Sequence, residues 1–193
     1  LKRAPHNGKL WILQSASLIQ VPGKEQEALE AIKRAIKFYP ADHTLFNNMG
    51  IIYSKMSKYD MAISSYQKSI ELAPNCAETW SFLGNARQKT SELAMAEACL
   101  KKAISLDPTY ALAHYNLGLC YERTGQNEQA EACYKQALAL QPNFIEALNN
   151  LAGLYLTMQA PDSAYPLITS ALKINPSFSK AWFNLGNFHL EFN

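Results

Sequence analysis

The chain has 193 residues, of which 48% are hydrophobic and only 18% charged, and its formal net charge is +2. This composition can fill a packed core, which excludes intrinsic disorder, and it argues against a strongly basic nucleic-acid-binding protein. The longest apolar runs stay well short of the ~18 residues that a membrane-spanning helix needs. We therefore predict a mostly helical protein that neither inserts into a membrane nor binds nucleic acid.

A period of 34 residues organises the chain. The recurring prolines are Pro40, Pro74, Pro108, Pro142 and Pro176. One column of small residues is Ala28, Ala62, Ala96, Ala130 and Ala164, and another is Ala16, Gly50, Gly84, Gly118, Ala152 and Gly186. A column of large residues is Phe46, Trp80, His114, Leu148 and Trp182. One spacing shared by several residue types indicates an internal structural repeat.

Each period predicts two helices joined by a turn. In residues 43–76, Phe46, Met49, Gly50 and Tyr53 form the stripe of a first helix, and Ala62, Tyr66 and Ser69 form that of a second. Turn-forming residues lie between the two helices at Gly23, Ser57, Ser91 and Gly125. We expect the small residues to let the two helix axes approach closely. Because two short helices cannot bury both faces alone, the units must stack into a solenoid.

The repeat boundaries follow from this register. Residues 1–8 form the end of an upstream repeat or a tail. The predicted repeats are 9–42, 43–76, 77–110, 111–144 and 145–178, with the first helix of a sixth at 179–193. Trp11 lies one place early, which indicates one extra residue near the Val21–Gly23 turn. The apolar last segment has no second helix to cover it, so we hypothesise that the sequence is an excerpt from a longer array.

One repeat departs from the pattern in its second helix. Pro161 suits the start of that helix, but Pro166 follows five residues later. There it removes a backbone donor and crowds the carbonyl of Asp162. We predict a kinked or late-starting helix between Pro161 and Asn175.

The pattern resembles the tetratricopeptide repeat family. The residues that carry the resemblance most fully are Ala111-Leu-Ala-His-Tyr-Asn-Leu-Gly118, Tyr121, Gly125, Ala130, Tyr134, Ala137 and Pro142. The resemblance implies an all-α, right-handed solenoid whose first helices line a concave groove, and it implies binding of other proteins. The stretch Leu148-Asn-Asn-Leu-Ala152 is similar to the repeats of the O-GlcNAc transferase superhelix.

A column of mostly carboxamide residues is the first candidate for a ligand groove. It lies two places after the large residues, which turns it roughly 200° away from the packing stripe. The column is Gln14, Asn48, Phe82, Asn116, Asn150 and Asn184. A carboxamide both donates and accepts, so it can pair with a peptide backbone, as a similar asparagine ladder does in O-GlcNAc transferase. The alternative is that asparagine is simply common at this position, and Phe82 interrupts the ladder.

Further candidates lie on the same faces of the first helices. Asn85 and Asn187 are polar neighbours, while Phe82, Tyr115 and Phe183 are candidate anchors for a ligand. Three cations end successive first helices at Lys55, Lys89 and Arg123. They predict an acidic or carboxylate-bearing ligand, although cations are also favourable near helix C-termini for purely structural reasons.

Catalytic and metal chemistry find no support in the sequence. The four cysteines form no C-x-x-C pair and the four histidines are scattered, so the usual ligand spacing of a zinc site is missing. No phosphate-cradling loop or nucleophile elbow is present. We therefore predict no enzyme, no metal and no cofactor. The irregular use of cysteine favours a reducing compartment, the cytoplasm or the nucleus.

These observations predict a non-catalytic protein–protein interaction scaffold that binds a peptide or protein segment in its concave groove. Two alternatives stay open. The chain could be the substrate-recognition arm of a larger enzyme such as an O-GlcNAc-type glycosyltransferase. It could also be a structural array that self-associates through its open, apolar ends.

Overall fold

The computed structural model describes residues 8–192, and every regular element in that range is an α-helix. The helices are α1 (Gly8–Ile19), α2 (Glu25–Ile36), α3 (His43–Lys55), α4 (Tyr59–Leu72), α5 (Ala77–Lys89), α6 (Leu93–Leu106), α7 (Ala111–Arg123), α8 (Asn127–Leu140), α9 (Ile145–Thr157), α10 (Pro161–Ile174) and α11 (Ser179–Phe192). Residues 1–7 of the predicted upstream tail (1–8) and Asn193 lie outside the described residues.

The 34-residue period of the sequence is also the spacing between the starts of equivalent helices. From α3 onward the first helices begin at residues 43, 77, 111, 145 and 179, and the second helices begin at residues 25, 59, 93, 127 and 161. Both series advance by 34 residues. The predicted all-α solenoid of paired helices is confirmed.

The chain divides into an N-terminal unit that ends at Leu106 and a C-terminal unit that begins at Asp107. In the N-terminal unit each first helix packs on the second helix that follows it, and α1, α3 and α5 also contact one another in order. In the C-terminal unit α7 packs on α8 and α9 on α10, while α11 contacts both α9 and α10. Within each unit the first helices therefore lie side by side.

Small residues hold the two helices of a repeat close together. The alanines of the second helices from Ala28 to Ala164 are all fully buried. A Cβ atom added to Gly84 would lie 2.6 Å from the side chain of Leu100, and one added to Gly118 would lie 2.6 Å from the ring of Tyr134. The predicted close approach of the helix axes is confirmed, because these contacts leave no room for a methyl group.

The extra residue before α2 shifts the positions of α1 by one in the repeat register. Trp11 and Ser15 are buried, whereas Ala16 is exposed. Ser15, 35 residues before Gly50, thus occupies the small-residue position that the 34-residue register assigned to Ala16. The assignment of Ala16 to this column is wrong, because the insertion before α2 rotates α1 by one residue.

The large-residue column has a second role besides packing. Trp80 Nε1 donates a hydrogen bond of 2.8 Å to the carbonyl of Pro74, and Trp182 makes the same bond to Pro176. His114 Nε2 lies 2.9 Å from the carbonyl of Pro108. A ring nitrogen therefore ties three first helices to the loops that precede them.

Helix α10 begins at Pro161 and continues through Pro166 to Ile174, so the prediction of a late start is wrong. Pro161 occupies the first helical position, where its missing N–H is not needed. Pro166 is exposed, so water can reach the carbonyl of Asp162, which loses the helical bond. Ser170 Oγ donates a hydrogen bond of 2.7 Å to the carbonyl of Pro166 itself.

The turns between paired helices share one backbone conformation. Gly23 and Gly125 have φ values of 80° and 74°, and Ser57, Ser91 and Gln159 have φ values of 57°, 65° and 58°. These five residues recur at one position of the repeat. Gln159 was not predicted as a turn former, because neither its side chain nor its neighbours favour a positive φ.

Replacing Ser57, Ser91 or Gln159 by glycine should stabilise the protein. Left-handed backbone costs a non-glycine residue about 1–2 kcal/mol, of which the greater freedom of unfolded glycine cancels a part. We expect each variant to raise the free energy of unfolding by about 0.5–1 kcal/mol in urea titrations. Gly125→Ala, the reverse change at the same position, should lower it; a stabilised Gly125→Ala variant would contradict this account.

Gly118→Ala and Gly186→Ala form a matched pair that tests the helix contact. The added methyl at Gly118 meets the Tyr134 ring, so we expect a loss of about 1–3 kcal/mol of unfolding free energy. No atom lies within 4 Å of the corresponding position at Gly186, so alanine should stabilise α11 by helix propensity alone. Equal effects in thermal denaturation would show that the close approach is not limiting.

Candidate protein-interaction surface

Four predicted groove residues meet in a single pocket of the N-terminal unit. The pocket has a volume of about 310 Å³ and lies between α3 and α5, beside the start of α4. Its lining is Ile51, Ser54, Lys55, Tyr59, Tyr66, Phe82, Asn85 and Lys89. The predicted residues among these are Lys55, Phe82, Asn85 and Lys89. We refer to this site as the α3–α5 pocket.

Aromatic rings form one side of the α3–α5 pocket. The rings of Phe82 and Tyr66 stack with centroids 5.9 Å apart and planes inclined by 28°. Tyr66 is buried, and its hydroxyl lies 3.2 Å from Ser54 Oγ. Burial raises the pKa of Tyr66 to about 12. The phenol therefore stays neutral at physiological pH, and the buried Tyr66 ring supports the partly exposed ring of Phe82.

The two lysines of the pocket differ in what they already bind. Lys55 Nζ donates a hydrogen bond of 2.6 Å to the carbonyl of Ile19, the last residue of α1. This bond supports the structural reading of a cation that satisfies a helix C-terminus. Lys89 ends α5 and is exposed. Since none of the residues that line the pocket is acidic, the site is positively charged.

In the C-terminal unit the asparagine column lies at the seam between first helices. Asn116 is 2% exposed and Asn184 is 9% exposed. Asn184 Nδ2, on α11, lies 3.0 Å from the carbonyl oxygen and 2.9 Å from Oδ1 of Asn149 on α9. Asn150 Nδ2, on α9, donates to the hydroxyl of Tyr115 on α7 at 3.2 Å. Asn150 and Asn184 therefore bind neighbouring helices of their own chain.

The side chain of Tyr115 packs against two other aromatic rings. Its ring centroid lies 4.8 Å from that of Phe144 and 6.0 Å from that of Tyr134. Burial raises the pKa of Tyr115 to about 12 and also raises the pKa of Tyr134, whose hydroxyl donates to Glu122 Oε2 at 2.6 Å. The three rings form an aromatic cluster inside the unit, which holds Asn150 in place.

Phe183 separates two pockets of the C-terminal unit. Its side chain is 69% exposed on α11. One pocket, of about 430 Å³, is lined by Asn149, Ser179, Lys180, Phe183 and Asn184. The other, of about 480 Å³, is lined by Glu122, Gly153, Leu156, Thr157, Gln159, Phe183, Asn184, Asn187 and Glu191. The predicted residues Phe183, Asn184 and Asn187 thus lie together.

Sequence reasoning missed the acidic side of this surface. Glu191 occupies the repeat position of Lys55 and Lys89, so the charge at this position reverses on α11. The signal was present, because 191 is four periods after 55. Glu191 therefore places an acidic group at the repeat position where Lys55, Lys89 and Arg123 carry cations.

The remaining predicted residues lie apart from these pockets. Asn48 is half-buried on α3, and Arg123 is exposed in the last turn of α7. Gln14 is half-buried on α1, and its Oε1 is buried without a hydrogen-bond partner. Because α1 is shifted by one residue, Leu13 rather than Gln14 corresponds to Asn48.

In the described range, residues 8–192, no group of three or more histidine, cysteine or acidic side chains is placed to hold a metal ion. Across that same stretch, no helix combines the length and the apolarity needed to cross a membrane. Cys76, Cys99, Cys120 and Cys133, all within residues 8–192, do not form disulfides.

Comparison with known proteins now agrees with the paired helices. Residues 9–176 match the family model of the cilia and flagella-associated protein 70 C-terminal domain, a tetratricopeptide-repeat family. The chain belongs to this family. The match spans the five predicted repeats except the last two residues of the fifth.

Individual relatives are more distant. Human tetratricopeptide repeat protein 16 is 38% identical over 55 residues, which is 28% of this chain and only 6% of that protein. A thermophilic TPR protein of Thermus thermophilus is 25% identical, with a TM-score of 0.75 over 98% of this chain and 100% of that chain. The APC/C hetero-tetramer Cut9–Hcn1 is 21% identical, with a TM-score of 0.86 over 95% of this chain and 36% of the other.

Asn184→Ala tests the seam in the C-terminal unit. The substitution leaves two buried acceptors of Asn149 without their donor, so we expect about 1–2 kcal/mol less unfolding free energy. Asn187→Ala, one turn later on α11, provides the control and should change stability by less than ~0.5 kcal/mol. Similar denaturation midpoints for the two variants would mean that the Asn184 bonds contribute little.

Proposed function

We propose that this chain is a non-catalytic protein-interaction scaffold whose α3–α5 pocket binds an acidic, aromatic-bearing segment of a partner protein. Membership of a tetratricopeptide-repeat family supports the general role of protein interaction. The observation that carries the finer proposal is the meeting of Lys89, Asn85 and Phe82 in a pocket without an acidic lining residue.

Each of these residues has a distinct part in the proposed complex. The ammonium group of Lys89 pairs with a carboxylate, a contact that gains strength where the pocket walls partly exclude water. The carboxamide of Asn85 donates to and accepts from the peptide backbone. The ring of Phe82, held from behind by the buried ring of Tyr66, provides the apolar surface on which a partner's aromatic side chain packs.

Two further functions are candidates besides binding in the α3–α5 pocket. Peptide binding along the whole asparagine column, in a groove shared by all first helices, stays a prediction, and so does the similarity to the repeats of O-GlcNAc transferase. Self-association is the second candidate function. It is favoured by the exposed apolar side chains of α11, where Trp182 is 54% and Leu190 85% exposed.

Lys89→Glu tests the pocket with a labelled peptide of four glutamates around one phenylalanine. We expect the charge reversal to weaken binding about tenfold in fluorescence anisotropy at low salt, with a smaller effect at high salt because ions screen the pair. Lys102→Glu, on the exposed outer face of α6, adds the same charge to the same unit and should leave binding nearly unchanged.

Two results would contradict the proposal. Equal weakening by Lys102→Glu would show that only the net charge of the unit matters. Unchanged affinity in Lys89→Glu, with helicity intact by circular dichroism, would remove Lys89 and this pocket from the binding mechanism.

A further inference from the structure

Cations recur at one position in the last turn of the first helices, but the last two first helices lack them. The residues at this position, from α3 to α11, are Lys55, Lys89, Arg123, Thr157 and Glu191. The hydroxyl of Thr157 donates a hydrogen bond of 3.0 Å to the carbonyl of Gly153, one turn earlier on its own helix. Two successive first helices, α9 and α11, therefore carry no positive charge here.

Lys55 shows what the cation does where it is present. Its ammonium group donates to the carbonyl of Ile19, the last residue of the preceding first helix, at 2.6 Å. A cation at this place is stabilised by the negative end of the helix macrodipole. Leu156, in the last turn of α9, has the repeat position of Ile19 once the one-residue shift of α1 is included. At the end of α9, the residue that corresponds to Lys55 is thus a glutamate, Glu191.

A pocket lies where this cation is missing. It is the larger of the two pockets beside Phe183, with a volume of about 480 Å³, and it is lined by residues of α9 and α11 and by Glu122 of α7. We refer to it as the α9–α11 pocket. Leu156 and Glu191 both belong to its lining. The pocket is negatively charged, because two glutamates line it and, within residues 8–192, no lysine, arginine or histidine does.

The lining of the α9–α11 pocket suits a basic side chain. The hydroxyl of Tyr134 donates to Glu122 Oε2 at 2.6 Å, which positions that carboxylate. Glu122 and Glu191 are exposed, so a ligand can reach both. The ring of Phe183 is 69% exposed and offers its face to a cation, and the carboxamide of Asn187 adds an acceptor oxygen. An acidic ligand would be repelled by the two carboxylates.

We propose that the α9–α11 pocket is a second docking site, and that its occupant is an arginine or lysine side chain carried by a basic segment of a partner protein. The cation lies at the end of α9, as the ammonium of Lys55 lies at the end of α1, and it pairs with Glu122 and Glu191. The stem of the side chain, or the flat guanidinium of an arginine, packs on the ring of Phe183. This ligand is opposite in charge to the one proposed for the α3–α5 pocket, so the two sites select different segments.

A labelled peptide of four arginines separated by glycines tests the α9–α11 pocket, with citrulline in place of arginine as its uncharged counterpart. We expect the arginine peptide to bind in fluorescence anisotropy at low salt, and the citrulline peptide to bind at least tenfold more weakly. In ¹⁵N-labelled protein the arginine peptide should shift the backbone resonances of Thr157 and Gln159 and the side-chain amide of Asn187, which line the pocket.

Glu191→Lys supplies the missing cation from the chain itself. The new ammonium group takes the place that Lys55 has in its own repeat and repels a basic ligand, so binding of the arginine peptide should weaken about tenfold or more. Glu128→Lys makes the same change of charge in the same unit, in the exposed first turn of α8 and outside the pocket. This control should leave binding nearly unchanged.

Phe183→Ala tests the ring without a change of charge. Because the Phe183 side chain is exposed, the variant should fold normally and bind the arginine peptide several-fold more weakly. Leu190→Ala truncates another exposed apolar side chain of α11, outside the pocket, and should leave binding unchanged. Lys89→Glu should not weaken binding of the arginine peptide, which separates this site from the α3–α5 pocket.

Four results would overturn the proposal. Equal binding of the citrulline peptide would remove the role of charge. Undiminished binding in Glu191→Lys, with helicity intact by circular dichroism, would place the site elsewhere. Equal weakening by Glu128→Lys would show that only the net charge of the unit matters. A concentration-dependent dimer that Glu191→Lys dissociates in sedimentation would make a second copy of this chain the occupant.

Discussion

The contact between a glycine or alanine of the first helix and a large side chain of the second is the constraint on which the structure depends. Where Gly84 meets Leu100, and Gly118 meets Tyr134, the added volume of one methyl group already produces overlap. The two helices of a repeat therefore lie close together. The faces that they turn away from each other are not buried within that repeat. Stacking of the next repeat buries these faces, which is why helix starts recur with the period of the sequence.

Departures from the repeat are as informative as the repeat itself. Residues that follow the repeat pattern fill the core, so they carry little information about which protein the chain binds. The positions that break the pattern alter the surface instead: Phe82 replaces a carboxamide beside Tyr66, and Arg87 replaces a ring and lines a groove with residues of α4, α5 and α6. Both changes lie on α5, on different sides.

The asparagine column shows that a sequence period alone does not reveal what a side chain contacts. Helical geometry correctly turns this column away from the packing stripe, but the angle alone does not reveal which neighbour it then faces. In the C-terminal unit Asn150 and Asn184 face adjacent first helices of the same chain and donate their hydrogen bonds there. Lys55 is similar, since its ammonium satisfies the end of α1. Lys89 and Phe183, in contrast, are exposed.

The sequence by itself determined the helix pairs, their 34-residue period, the turn positions at Gly23, Ser57, Ser91 and Gly125, and the small residues between the helices. These features are local or repeat at fixed spacing, so backbone preference and side-chain volume suffice to define them. Only the tertiary structure decided which polar groups were already satisfied, that α10 tolerates Pro166, and that Arg87 pairs with Glu92. Those outcomes depend on distances between helices that are far apart in the chain, which no residue pattern encodes directly.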